Sequence, residues 1–247
     1  MTIINRTHRF LYVHVPKTAG TSVKMYLGRF GTEHDLYLDG VADSETLLRH
    51  FGSAPPGLHK HARIRDIVTL LGPEELSRFV KISVVRNPFD RTISTFKFLK
   101  YKFRKWPKSN IMERFDTLQQ FVLSDFFRHQ GPGRIFQPQT WWLTLNGEGL
   151  CIDFLGRYES LDDDLSRVCR KLNLAPPKNP IERKNVSAPP GTDEQTKVTP
   201  VVVDAVRAKY ATDFDLLGYP LEPEQNCEPK IQLTVESNLA DENAHGN

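Results

Sequence analysis

The chain has 247 residues, 39% hydrophobic and 26% charged, which is ordinary globular composition and enough for a sizeable core. It excludes a disulfide miniprotein, a collagen-like rod and a wholly disordered chain. The net charge of +3 hides an asymmetry: residues 221–247 hold six acids and one base, which leaves 32 bases against 24 acids, a net of +8, on the body. A basic body favours an anionic ligand, and nucleic acid, a phosphorylated nucleotide and an acidic glycan all fit.

Apolar runs and helical patterns alternate along the chain. Phe10 to Val15 (FLYVHV) reads as a short buried strand. Val23, Leu27 and Phe30 then fall at helical spacing, with Gly31 as the stop. Residues 32–58 predict loop with short helical pieces. His61, Ile64, Val68 and Leu71 mark one helix face, ended at Gly72-Pro73. Phe79 to Val85 (FVKISVV) is the second clear strand. Asn87-Pro88 reads as an N-cap with proline at the first helical position, opening a helix that turns Ile93, Phe96 and Leu99 inward.

Asp116 is placed as the cap of a helix bearing Leu118, Phe121, Val122 and Leu123, and QPQTWWLTL as a further helix. Ile152 to Tyr158 is a third strand. Ser160 caps a helix burying Leu161, Leu165, Val168 and Leu172. Residues 175–196 read as a long loop, and Thr199-Pro200 opens a last helix through Tyr210. The polar, acidic tail from residue 221 is expected to be disordered, leaving one domain over residues 1–220. Strands alternating with helices predict an α/β domain with a mostly parallel sheet, and no internal repeat is visible. The cysteines Cys151, Cys169 and Cys227 are odd in number and widely spaced, so they imply no disulfide framework and fit a reducing compartment. No Cys/His spacing points to a metal, no apolar stretch approaches the ~20 residues that span a bilayer, and the N-terminus does not read as a signal peptide.

Two segments carry the chemistry. The first strand runs into VPKTAGTS and then a helix, a geometry that sets backbone N–H groups and a helix N-terminus around a phosphate. Pro16, Lys17, Thr18, Ala19, Gly20, Thr21 and Ser22 form this loop; Lys17 adds a point charge, and Thr18, Thr21 and Ser22 add hydroxyls. It is not a Walker A loop, because the lysine precedes a single glycine. The second strand ends in VVRNPFDRTIS, with Arg86 at its carboxyl end and Ser94 two turns into the next helix. Open parallel sheets bind ligands outside the carboxyl ends of their strands. An Arg and a Ser there can clamp a second phosphate; Arg91 is a weaker candidate that could equally pair with Asp90 or a neighbouring helix.

Together, PKTAGTS and RNPFDRTIS after successive strands resemble the 5′-phosphosulfate loop and the 3′-phosphate motif of sulfotransferases. The chain looks most like the carbohydrate branch that includes heparan sulfate 2-O- and 6-O-sulfotransferases and their soluble bacterial relatives. QPQTWWL, FLGRYESLDDDLSRVCRKLNL and YATDFDLLGY look like later landmarks of that branch, so the resemblance runs from about residue 9 to 219. It implies a P-loop-kinase-like parallel sheet flanked by helices. It also implies in-line transfer of a sulfuryl group from 3′-phosphoadenosine 5′-phosphosulfate (PAPS) to an acceptor hydroxyl or amine. Lys17 and the loop amides would stabilise charge on the departing phosphate, and Arg86 and Ser94 would hold the 3′-phosphate.

An acceptor hydroxyl needs a base. HKHA supplies His59 and His61, a pair that resembles the His-x-His of the 2-O-sulfotransferases. His61 is assigned as base and His59 as a supporting or substrate-binding residue; the other histidines, His14 included, receive structural or solvent roles. The resemblance also implies that Arg183 and Lys184, in a basic loop, reach the 3′-phosphate side, a solvated linker being the alternative. Lys97 to Lys108 mix bases with Tyr101, Phe103 and Trp106, which suits an acidic glycan, nucleic acid or a plain solvated helix face. Trp141 and Trp142 are either sugar-stacking or core residues. The expected partner is a carbohydrate or glycoconjugate acceptor, not nucleic acid, with no metal and no transmembrane segment. Relatives in the Golgi carry a membrane anchor; with Met1 as the native start, a cytoplasmic protein is expected. The competing readings are a nucleotide-dependent kinase on the same fold and a non-catalytic module that binds anionic glycans.

Overall fold

The computed structural model describes residues 2–38, 59–102, 109–129, 134–176, 178–179, 181 and 194–223. The strands are β1 (Thr2–Asn5), β2 (Phe10–Val13), β3 (Leu36–Leu38), β4 (Val80–Val85) and β5 (Phe154–Arg157). The α-helices are α1 (Gly20–Leu27), α2 (Ile64–Ser77), α3 (Pro88–Lys97), α4 (Leu118–Leu123), α5 (Asp125–Arg128), α6 (Thr140–Leu143), α7 (Leu161–Lys171), α8 (Pro200–Lys209) and α9 (Ala211–Leu217).

The strands form one sheet in the order β3-β1-β2-β4-β5. β2, β4 and β5 are parallel neighbours, whereas β1 is antiparallel to both β2 and β3. The expected parallel sheet is therefore its centre, and a mixed edge is added to it. β1 and β3 were not expected: they are four and three residues long, too short for alternation to show. β3 lies at the start of the segment read as loop, and residues 39–58 lie outside the described ones.

Side chains alternate across the sheet. Ile3, Phe10, Tyr12, Ile82 and Val84 pack with Val23, Tyr26 and Leu27 of α1 and Leu161, Leu165 and Val168 of α7. Ile4, Leu11, Val13 and Val85 pack on the other face with α2, α3, α8 and α9. After β2 the chain crosses by α1 to the β3 side, and after β4 it continues to β5 on the other side. The direction of travel therefore reverses between β2 and β4, which is where open α/β sheets form a ligand crevice.

Local chemistry sets the helix boundaries. Asn87 Oδ1 accepts from the Phe89 N–H at 2.9 Å, with Pro88 at the first turn, and Ile93, Phe96 and Leu99 are buried as read. α2 begins at Ile64, so His61 sits in the turn before it, and the helix breaks at Gly72 (φ 77°) before resuming at Pro73. Thr117 rather than Asp116 caps α4, because its side chain accepts from the Gln120 N–H while Gln120 Oε1 reaches back. Leu123 is 41% exposed, because α4 ends there. The helix read through QPQTWWLTL is one turn, and the last helix is two, α8 and α9. The acidic tail beyond Pro223, like residues 103–108, lies outside the described residues.

Candidate active site

β2 and β4 align with Phe10 opposite Val80 and Val13 opposite Ser83. Neighbouring strands lie about 4.8 Å apart, so the segment after Val13 and the segment after Val85 leave the sheet side by side. The Ser83 hydroxyl donates to the Val13 carbonyl at 2.8 Å and fastens the two ends together.

The loop from Val15 to Ser22 turns on two left-handed residues, Lys17 (φ 71°) and Ala19 (φ 67°). Left-handed residues alternating with ordinary ones turn successive N–H groups toward one concavity. Ala19 is the N-cap of α1 and makes no side-chain cap bond, so the first-turn amides are not capped from within. The Thr18 hydroxyl donates to the Val15 carbonyl at 2.9 Å and closes the loop, so Thr18 offers a ligand its backbone rather than its hydroxyl. Thr21 is exposed, whereas Gly20 and Ser22 are buried. A Cβ on Gly20 would lie 1.7 Å from the His14 ring, so any other residue there must displace that ring. The Lys17 ammonium rests over the Phe98 ring, 4.1 Å from its centroid.

Val84 faces α1 and Val85 faces away, so alternation returns Arg86 to the α1 side. Its guanidinium lies over Tyr158 at 4.0 Å. Gln139 grips its backbone on both sides, accepting from the Arg86 N–H at 2.9 Å and donating to its carbonyl at 2.7 Å. Among the described residues the buried Arg86 Nε has no hydrogen-bond partner, which leaves a donor ready for an acceptor. Asp90 is half-buried, and that desolvation raises its carboxyl pKa, a rise that Arg86 opposes. Ser94 is buried on α3.

Arg91 takes a different role from the one considered for it. It is 1% exposed and donates to the carbonyls of Pro16 (3.2 Å), Gln137 (3.1 Å) and Ile135 (3.0 Å). It is a strut that fixes the loop after β2 to α3, and its donors are spent on the protein. Asp213, buried beneath it, accepts from the Gln139 and Thr140 amides at 2.8 and 2.9 Å, which positions the residue that holds Arg86.

His61 lies across β2 from Arg86. Its Nδ1 is 3.1 Å from the His14 carbonyl, and its ring is 4.4 Å from the His14 ring. His59 Nδ1 accepts from the His61 N–H at 3.0 Å, and the Trp142 indole donates to the His61 carbonyl at 3.2 Å. Burial pushes the His61 pKa down to about 3, helped by the positive charges of Lys60 and Arg91. His59 is lowered too, first by burial and then by Arg134. Trp142 is fully buried and therefore core, whereas Trp141 is partly exposed.

A cleft of about 500 Å³ opens beside α1, between Ser22, Met25 and Tyr26 on one wall and Ala175, Lys178 and Ile181 on the other. Arg183 and Lys184 lie outside the described residues. Lys97 is buried, and Lys100 donates to the Phe115 carbonyl at 2.5 Å, so the start of the basic run belongs to the body of the domain rather than to a solvated face. His14, Tyr158, Gln139 and Asp213 are the site residues that the sequence reading missed. Only Tyr158 carried a local signal, as the residue leaving the carboxyl end of β5. Among the described residues no helix is long and apolar enough to cross a membrane, and no three His, Cys, Asp or Glu side chains cluster as metal ligands.

A strand-loop-helix turn stands beside a strand-end arginine, an arrangement able to take a ligand with two separated negative groups. The comparisons agree with that class. The sulfotransferase family model matches residues 1–220, and the chain belongs to the sulfotransferase family. It is 24% identical to carbohydrate sulfotransferase 14 of Danio rerio, over 89% of this chain and 62% of that protein, so it spans less than two thirds of that relative's length. No solved structure matches.

Arg91→Met is expected to lower unfolding free energy by about 2–4 kcal/mol, because three carbonyls lose their donor. Arg86→Met is expected to cost no more than about 1 kcal/mol, the worth of its stacking on Tyr158. Urea unfolding of both variants checks this, and equal losses would contradict the division of roles.

His61 also makes a pH prediction. The folded protein holds the ring neutral down to about pH 3, whereas the unfolded chain binds a proton near 6.5. The unfolded state thus takes up more protons as pH falls through that window, so stability present above pH 6.5 is lost progressively below it. His61→Gln should lose less stability than the parent between those limits; parallel pH curves would show that burial does not hold the ring neutral.

Proposed function

We propose that the protein transfers the sulfuryl group of PAPS to a hydroxyl of a carbohydrate. The observation that carries this reading is the placement of two anion-gripping elements at adjacent strand ends, with a neutral imidazole on the other side of the first. The donor has two phosphate positions, and the crevice offers one element for each. Family membership supports the sulfuryl donor, and the similarity to a protein named as a carbohydrate sulfotransferase supports the acceptor class.

In this reading the loop amides and Lys17 take the 5′-phosphosulfate, with Lys17 turning from Phe98 toward the bridging oxygen. The Arg86 Nε, which has no partner among the described residues, donates to the 3′-phosphate together with Ser94. We place the adenosine along the cleft beside α1, which begins at Ser22 and ends at Ile181, two residues before Arg183. In this reading Arg183 and Lys184 also bind the 3′-phosphate.

The acceptor oxygen attacks sulfur, the bond from sulfur to the 5′-phosphate oxygen breaks, and the acceptor proton passes to His61. A backbone carbonyl only accepts, so the contact with His14 assigns the His61 hydrogen to Nδ1 and leaves the Nε2 lone pair as base. His59 braces the backbone of His61 through its own Nδ1 and is a positioning residue. The free-state pKa keeps His61 unprotonated but weakly basic. A bound polyanionic donor favours imidazolium and raises that pKa toward the working range. Charge growing on the departing phosphate meets donors already in place, usually the largest catalytic contribution.

Incubation with PAPS labelled in its sulfuryl group and a panel of oligosaccharides tests this. Label is expected on a carbohydrate, with one adenosine 3′,5′-bisphosphate released per transfer. Lys17→Ala should remove most transfer while the fold survives. His61→Gln should reduce turnover by about 10²–10⁴ with donor affinity unchanged. Transfer of the ATP γ-phosphate instead, or full turnover by His61→Gln, would overturn the corresponding part of the mechanism.

A further inference from the structure

The acceptor side of His61 carries a second group of positive charges, separate from the donor crevice. Arg63 lays its guanidinium over the Trp141 ring, 3.9 Å from the centroid, and donates through Nε to the Trp141 carbonyl at 3.1 Å. Arg134 approaches the same ring at 5.1 Å. Trp141 meets Trp142 edge to face at 5.1 Å, and Trp142 holds the carbonyl of His61. Two packed indoles thus tie both guanidiniums to the backbone of the base.

These arginines differ from surface arginines that only meet water. Stacking on an indole fixes the direction of a guanidinium, and less freedom is lost when it binds. Among the described residues neither side chain forms an ion pair. The carboxylate of Asp66, whose charge acts on Arg63, accepts from the Arg63 backbone N–H at 3.0 Å and serves the start of α2. Lys60 and Arg65 add positive charge beside it, and the field of Arg134 reaches His59. With Arg63 over its face, Trp141 is a platform for arginine rather than for a sugar ring. The free edges of two oriented guanidiniums match a flat or tetrahedral oxyanion.

We propose that Arg63 and Arg134 form an acceptor subsite that reads an anionic substituent, a carboxylate or a sulfate ester, on the sugar adjoining the accepting hydroxyl. This rests on the transfer reading above and adds to it the acceptor's charge. Arg63 lies two residues from His61, and the two tryptophans join the arginines to the backbone of the base, so in this proposal the anion is held on the sugar next to the reacting one. A neutral saccharide would leave the two charges without a partner.

The test is calorimetric titration of the protein saturated with adenosine 3′,5′-bisphosphate. The probes are an unsulfated chondroitin tetrasaccharide, its carboxyl-reduced neutral form, and a keratan sulfate tetrasaccharide. The wild type is expected to bind at least one charged probe ten-fold or more tightly than the neutral one. The larger margin identifies carboxylate or sulfate ester as the group read. Arg63→Gln and Arg134→Gln should each remove most of that margin with bisphosphate affinity unchanged. Arg134 is exposed, so its variant stays informative if Arg63→Gln destabilises α2. Equal binding of charged and neutral probes, including no binding of either, overturns the proposal, as does a margin kept by the double variant. Failure of the bisphosphate itself to bind overturns the donor reading instead, and this proposal with it.

Discussion

The parallel register of β2 against β4 governs the site. It brings two loops, 70 residues apart in the chain by the Ser83–Val13 bond, to the same edge of the sheet at neighbouring positions. A slip of one residue would turn Arg86 to the opposite face and move it along the edge. Both hydrophobic clusters oppose such a slip, because it would send Val84 and Val85 each to the wrong side. Arg91 then fastens the loop after β2 to the helix after β4 through the Pro16 carbonyl. Each element is useful only because the other is held beside it.

Around that frame the protein separates two uses of positive charge. Arg91 is buried and saturated by carbonyls, so it organises. Arg86 is fixed through its backbone by Gln139 and keeps a donor unspent, so it can meet a ligand. Desolvation makes both roles possible: an unspent buried donor is costly without an acceptor, and a matching anion relieves that cost. The same desolvation holds His61 neutral, the form a base requires. In the proposed mechanism, burial thus adjusts both the anion-gripping side and the proton-taking side.

Much of this was legible in the sequence where the signal was local. FLYVHV and FVKISVV are apolar runs long enough to read, and Asn87-Pro88 and Gly72-Pro73 punctuate helices by their own backbone preferences. The loop from Pro16 to Ser22 was legible because strand, glycine and helix follow one another directly. The edge strands were not, because β1 and β3 are shorter than the alternation needed to recognise a strand. The Thr117 cap had a readable signature in Thr-x-x-Gln, but Asp116 beside it competed. Arg86 and Arg91 lie five residues apart, and only tertiary burial separates a ligand donor from a strut. The contacts of His14 with His61 and of Gln139 with Arg86 span 47 and 53 residues, beyond any local pattern.

The central claim is that one nucleotide engages both strand ends at once. Thermal unfolding with adenosine 3′,5′-bisphosphate, adenosine 5′-monophosphate and ATP–Mg²⁺ in parallel tests it most directly. The bisphosphate at a hundred times its dissociation constant should add ~2.7 kcal/mol. The monophosphate, which lacks the 3′ group, should stabilise far less at the same concentration, and Arg86→Ala should erase the difference between the two. Equal stabilisation by both nucleotides, or stabilisation by ATP–Mg²⁺ alone, would contradict the account.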